Sequence, residues 1–307
     1  MIPTERKAGK AVAMAILAAL LFGLNAPFSK LLLRQVAPEL MAALLYIGTG
    51  LGMSILFLVT AKNERQLREK NLDWKDLPWL AGMIVLDMAA PILLMMGLSS
   101  VSAEVTSLLV NFEIVATTLV AMIIFKEKVS WRLWLAIVLV VIASVLLSVQ
   151  GNLSSLKLSN GSLLILGATI CWGFENNITR RLSGKNPIQI VVIKGFGSGF
   201  GALFVAFISR QTQGTGLGIV LALLLGFVAY GLSIYFYIKA QRDLGAAKTS
   251  AFYSTAPFFG VLISLAVYRD LPSAQFWIAL GIMVIAAGLT ARDALSHSSS
   301  DENKKGN

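Results

Sequence analysis

The sequence predicts an all-α membrane protein with ten transmembrane helices arranged as two inverted five-helix repeats. Three observations carry that expectation. The 307 residues are 56% hydrophobic and only 14% charged, with a mean hydropathy of +0.75. The apolar residues form long charge-free stretches of bilayer length. The cationic residues alternate between dense and sparse from one connection to the next.

A soluble domain averages about a quarter charged residues and needs polar surface to cover its core. The shortage here makes lipid the expected solvent. Residues 11–29, 40–61, 133–156, 211–238, 249–268 and 271–291 contain no Asp, Glu, Lys or Arg. Each has the roughly 20 residues that a helix needs to cross hydrocarbon. Segments near 78–98, 103–125, 160–182 and 187–209 are as long and carry one to three internal charges. A barrel would require alternating segments of about ten residues, and these segments are uniformly apolar.

Orientation follows from the 26 Lys and Arg residues. The amino terminus, the 2–3, 4–5, 6–7 and 8–9 connections and the carboxyl end together hold 20 of them. The opposite connections hold four, Arg34, Lys157, Arg210 and Arg269, while Lys30 and Lys194 fall within segments. By the positive-inside rule both termini are expected in the cytoplasm. The net charge of +10 thus reflects membrane orientation and not a nucleic-acid partner. The longest loop, 61–77, mixes signs and reads as a solvated cytoplasmic turn. The first apolar segment is too long for a signal-peptide core and is expected to be retained.

The two halves resemble one another. Phe22-Gly23-Leu24-Asn25 followed by Ser29-Lys30 matches Trp172-Gly173-Phe174-Glu175 followed by Thr179-Arg180. Gly48, Gly50 and Gly52 match Gly197, Gly199 and Gly201. Further on, Thr106-Ser107 pairs with Thr249-Ser250, Lys126-Glu127 with Arg269-Asp270, and Trp134 with Trp277, while helices 3 and 8 match poorly. Five helices per unit is an odd number, so the second copy enters the membrane from the opposite side. The expected units are residues 1–150, residues 151–292 and a disordered cytoplasmic tail at 293–307. Inverted repeats of this kind imply alternating access around a site near the midplane.

An ionisable group inside a spanning helix costs roughly 2.5–3.5 kcal/mol on insertion scales, so each is a functional candidate. Glu113, Asp87 and Glu175, with Asn25 at the depth matching Glu175, are candidates to line a central cavity. There they would bind an amino or cationic group or exchange a proton; the alternative is a tie to a hydroxyl or amide in helix packing. Lys194 either pairs with an acid, holds a substrate carboxylate, or snorkels to the cytoplasmic surface. Lys30 and Glu104 lie near helix ends, where snorkelling is the expectation. Trp172, Tyr230 and Tyr253 are candidate cavity walls, with Tyr46, Tyr235 and Tyr237. Pro27, Pro91 and Pro257 are candidate hinges. The glycines of helices 2 and 7 have small-xxx-small spacing, which favours close packing. Ser130 and Ser273 read as helix N-caps. A single Cys171 and a single His297 exclude a disulfide framework and a Cys- or His-based metal centre in the helices. An intramembrane enzyme would need a paired acid–base or metal set, and none of the known spacings is present.

The runs F-G-L-N-A-P-F-S-K, N-F-E-I-V-A ending in F-K-E-K-V-S, and S-T-A-P-F-F-G ending in Y-R-D-L-P-S resemble the drug/metabolite transporter superfamily, specifically its EamA-type ten-helix members. The resemblance covers about residues 11–292. It implies a transporter in a bacterial inner (plasma) membrane, commonly an exporter of metabolites or amino acids, without an organic cofactor. The partners it implies are a small-molecule substrate, lipid and, for a coupled carrier, protons; the oligomeric state stays open. Multidrug or cationic-compound efflux and a channel or scramblase are the alternatives. One departure is Ile114, where the family often has Pro after the helix 4 Glu; Pro257 keeps the equivalent Pro in helix 9. The departure removes the expectation that helices 4 and 9 kink alike.

Overall fold

A computed structural model describes residues 3–60, 70–126, 129–149, 159–182, 184–244, 249 and 252–305. The cations Lys62, Arg65, Arg68, Lys128, Lys157 and Lys248, and the boundary between residues 150 and 151, lie outside the described residues.

The elements are helical throughout: α1 (Pro3–Gly23), α2 (Asn25–Leu32), α3 (Pro38–Thr60), a 3₁₀ turn (Trp74–Asp76), α4 (Leu77–Ser100), α5 (Ala103–Leu109), α6 (Phe112–Phe125) and α7 (Trp131–Ser148). The chain continues as α8 (Asn160–Leu182), α9 (Pro187–Ile208), α10 (Gly216–Leu225), a π-helical segment (Gly226–Leu232), α11 (Ser233–Leu244), α12 (Ala256–Tyr268) and α13 (Ala274–Lys305). Eight stretches are long and apolar enough to cross a bilayer, and they incorporate every helix except α8 and α12. α8 is 23 residues long and carries Glu175, Arg180 and Arg181. α12 is apolar and 13 residues long.

Local chemistry sets the ends. Ser130 caps α7 by accepting from the Leu133 amide at 3.2 Å, Ser273 accepts from the Phe276 amide at 3.3 Å, and Asn186 accepts from the Ile188 amide at 3.0 Å ahead of Pro187. These side chains satisfy amides that have no partner in a helix's first turn. Lys126 and Arg269, which end α6 and α12, both adopt the left-handed conformation, with φ of 53° and 55°.

Helices α3 and α9 lie against each other, as do α4 and α8, α7 and α13, and α1 and α11. A broad shell of apolar side chains, including Ile55, Leu58, Val59, Phe204, Phe207, Leu262 and Ile285, faces outward. Trp74 and Trp131 are 89% and 68% exposed near helix ends, as an interfacial belt requires. At one end of the bundle Val36 and Gly214 form an isolated antiparallel bridge, and at the other Lys70 and Lys185 form a parallel one. Gln35 and Thr215 reinforce the first through a side-chain bond of 2.9 Å. Lys185 reinforces the second through Asp76 at 2.9 Å and Asp73 at 3.2 Å. The bond to Asp76, then those to Asp73, hold the Lys185 pKa above the ordinary lysine value. A raised lysine pKa stabilises below the unfolded value and is lost only as pH climbs through the folded one, so this clasp is indifferent to pH near neutrality.

One expectation needs correction. The apolar segment at 103–125 breaks at Val110–Asn111, between α5 and α6, without a proline at position 114, and a second break, before α12, falls at Ser254–Thr255. Tight i→i−3 bonds, Asn111 to Leu108 at 3.0 Å and Glu113 to Val110 at 3.0 Å, make the first break. The second differs only in having Pro257 just inside the new helix. The carboxyl segment continues α13 as helix to Lys305. It contains no Pro or Gly before Gly306, so α13 propagates at one hydrogen bond per residue.

Close backbone packing generates a test. A Cβ at Gly48 would overlap the Leu223 carbonyl, one at Gly226 would overlap the Leu45 carbonyl, and one at Gly281 would meet nothing within 4 Å. Gly48→Ala and Gly226→Ala should each destabilise by about 1–3 kcal/mol or more, whereas Gly281→Ala should stabilise by about 0.5–1 kcal/mol. Thermal unfolding in detergent reads both signs.

Candidate functional site

Asp87 sits in the interior of α4. Four residues later Pro91, also buried, lacks the amide that would have bonded the Asp87 carbonyl. The polar character of α4 is therefore concentrated at this one level. Glu175 projects from α8 and Lys194 from α9. The structure brings the three together: Lys194 Nζ lies 3.0 Å from Asp87 Oδ2 and 3.1 Å from Glu175 Oε1. Asp87, Glu175 and Lys194 are 0%, 2% and 8% exposed. Lys194 therefore takes the paired alternative and does not snorkel. Among the described residues it is the only buried Lys or Arg.

One hydroxyl donates to each carboxylate. The Tyr46 hydroxyl donates to Asp87 Oδ1 at 2.9 Å, and the Thr179 hydroxyl donates to Glu175 Oε1. Asn25, which the sequence match pairs with Glu175, makes its own polar group. Its Nδ2 donates to the Tyr230 hydroxyl at 3.0 Å, and its Oδ1 accepts from Ser29 at 3.0 Å. The spacing of Ser29 from Asn25 equals that of Thr179 from Glu175. The Tyr46 and Tyr230 rings, 5.3 Å apart, join the two polar groups.

An aromatic cluster adjoins them. Phe22 lies 6.4 Å from Trp172, 5.8 Å from Tyr230 and 5.8 Å from Tyr253 between ring centres. Beside Asn25 is a cavity of about 20 Å³, bordered by Phe22, Gly23, Thr106, Ser107, Pro257 and Gly260 among others. That volume holds little more than one water molecule. The breaks at Leu24, Val110–Asn111 and Ser254–Thr255 occur on the chains that border it. Pro27 and Pro257 follow two of those breaks within the first turn of the next helix, and the Pro27 carbonyl accepts from the Tyr268 hydroxyl at 2.7 Å.

Glu113 is separate from the Lys194 cluster. It accepts from Asn176 Nδ2 at 2.6 Å, between α6 and α8. Lys30 does not project into solvent: its Nζ donates to the Leu98 and Ser99 carbonyls at 2.6 and 3.0 Å, at the carboxyl end of α4. Glu104 is buried in the first turn of α5, where the helix dipole favours an acid. Sequence reasoning missed Tyr46 as a partner of Asp87, and Asn176 as the partner of Glu113. Ser29 and Thr179 were signalled by the repeat, which aligned them. No group of three or more metal-ligating side chains occurs among the described residues.

Apolar spanning helices around one buried charged cluster define a polytopic membrane protein with an internal polar site. The sequence matches the EamA-like transporter family over residues 9–149 and 159–292, and the chain belongs to that family. It is 26% identical over 273 residues to an uncharacterized transporter of Methanothermobacter thermautotrophicus, covering 83% of this chain and 78% of that one. It is 25% identical over 207 residues to the uncharacterized transporter YyaM of Bacillus subtilis, covering 65% and 67%. A protein of known crystal structure shares the fold, with a TM-score of 0.66 at 16% identity over 92% of this chain and 96% of the other. The protein is therefore an EamA-type membrane transporter.

The cluster's energetics can be measured. Removing one member of a buried charge set leaves the others unpaired, at a cost of about 3–5 kcal/mol, whereas neutral replacement of the whole set is tolerated. Lys194→Met should lower the melting temperature markedly, and the triple variant Asp87→Asn, Glu175→Gln, Lys194→Met should recover most of it. Equal stability of wild type and Lys194→Met would show that the carboxylates do not need the ammonium.

Proposed function

We propose that the protein is a secondary carrier that exports a small amino-bearing metabolite, such as an amino acid, by alternating access between two inverted five-helix repeats. The observation that carries this reading is the Asp87–Lys194–Glu175 cluster. Fully ionised, two carboxylates and one ammonium leave a buried net negative charge. That charge attracts a solute ammonium or a proton, and exchange of one for the other is antiport.

Paired features support the repeat. The breaks at Val110–Asn111 and Ser254–Thr255 correspond, as do the left-handed caps Lys126 and Arg269. The bridge Val36–Gly214 joins the 1–2 and 7–8 connections, and Lys70–Lys185 joins their repeat counterparts, the 6–7 and 2–3 connections, at the opposite end of the bundle. With α8 and α12 counted as spans the helices number ten, divided at residues 150 and 151, and both termini lie in the cytoplasm of a bacterial inner membrane. The aromatic cluster around Phe22 favours an apolar portion on the solute, and a lipophilic cation is the second reading it supports.

Purified protein in liposomes, screened against amino acids and cationic drugs, tests the substrate. Saturable counterflow separates a carrier from a channel or scramblase. An imposed pH gradient should alter the rate. Glu113→Gln should abolish that response if Glu113 is the proton-exchanging group, and an unchanged response would assign the role to Asp87 or Glu175. Reporter tags at the two ends should both be cytoplasmic; tags on different faces would overturn the topology.

A further inference from the structure

We infer that Lys194 is an internal counter-cation: its ammonium fills the place between Asp87 and Glu175 that a solute ammonium takes, and yields it on loading. The inference rests on the proposed assignment of this cluster as the transport site.

The observations converge on a cluster that supplies its own cation. Each carboxylate already has an ammonium contact, at 3.0 Å for Asp87 and 3.1 Å for Glu175. No other buried Lys or Arg among the described residues can supply that charge. Lysine also suits departure. Its ammonium is a compact point charge on a flexible four-carbon stem, unlike the rigid fork of arginine. Side chains on a helix tilt towards its amino terminus, and the start of α9 at Pro187 is about 10 Å from Lys194 along the axis. That end is the one clasped by Lys70 and Lys185. Pairing inside the bundle and snorkelling towards this end are thus successive positions of one side chain. The ammonium leaves the carboxylates as the solute's arrives, and the cluster keeps the same charge in the loaded and empty carrier. A carrier whose empty form holds the same charge as its loaded form can return without cargo.

Two measurements on the full-length protein test this. In detergent, Lys194→Ala should melt higher in propylammonium chloride than in sodium chloride of equal ionic strength, while wild type should melt alike in both. In liposomes, Lys194→Ala should lose net efflux about 100-fold more than it loses counterflow of the amino acid that wild type carries, because an unpaired buried charge blocks the empty return. Lys194→Gln, which keeps an N–H donor, takes both measurements if the alanine variant does not fold. The inference is overturned if propylammonium stabilises the variant no more than sodium does, or if counterflow and net efflux change together. If wild type carries no amino acid or cationic drug at all, the transport reading fails instead, and the melting comparison alone still judges Lys194.

Discussion

An ammonium held between two carboxylates, inside a bundle otherwise built of Leu, Ala, Val, Ile and Phe, constrains everything around it. Each of these ions loses several kcal/mol of hydration on burial and recovers it only through close geometry. That geometry demands that α4, α8 and α9 meet at one level, and it demands the Tyr46 hydroxyl from α3. The glycines of α3 and α9 make the approach feasible, because Gly195 packs directly on the Gly50 backbone. The apolar exterior then follows without further specification, since lipid accepts any large aliphatic side chain.

Much of this was legible in the sequence, for physical reasons. Hydrocarbon excludes charge so strongly that each internal ionisable residue stands out, and Asp87, Glu175 and Lys194 were all visible as anomalies. Their mutual pairing was not. Which faces of three helices converge depends on packing between segments nearly a hundred residues apart, and no local period reports it. Lys194 posed the hardest case, because a lysine some ten residues from a basic loop satisfies a surface rule and a pairing rule equally well. The break between α5 and α6 was illegible for a different reason: it comes from a few shortened hydrogen bonds around Asn111, with no proline to announce it.

The two bridges at opposite ends of the bundle have a bearing on how such a molecule changes shape. Val36–Gly214 ties the connection after α2 to the one before α10, and Lys70–Lys185 ties the connection before the 3₁₀ turn to the one before α9. Both are made in the same structure. The interrupted chains α1–α2, α5–α6 and the approach to α12 lie elsewhere, around Phe22 and Gly260. The bridges and the helix breaks thus fall on different parts of the bundle.

The π-helical segment has a geometric consequence of its own. Its wider turn holds one residue more than an α-helix of equal rise, and Thr49 donates to the Gly226 carbonyl at 2.9 Å within it. One surplus residue advances all that follows by about 100° around the axis. That offset sets the azimuth at which Ser233 reaches the Ala18 carbonyl at 2.8 Å and α11 turns towards α1. Trimming a single residue from 226–232 would leave a smoother helix, and would turn its whole lower half away from its neighbour.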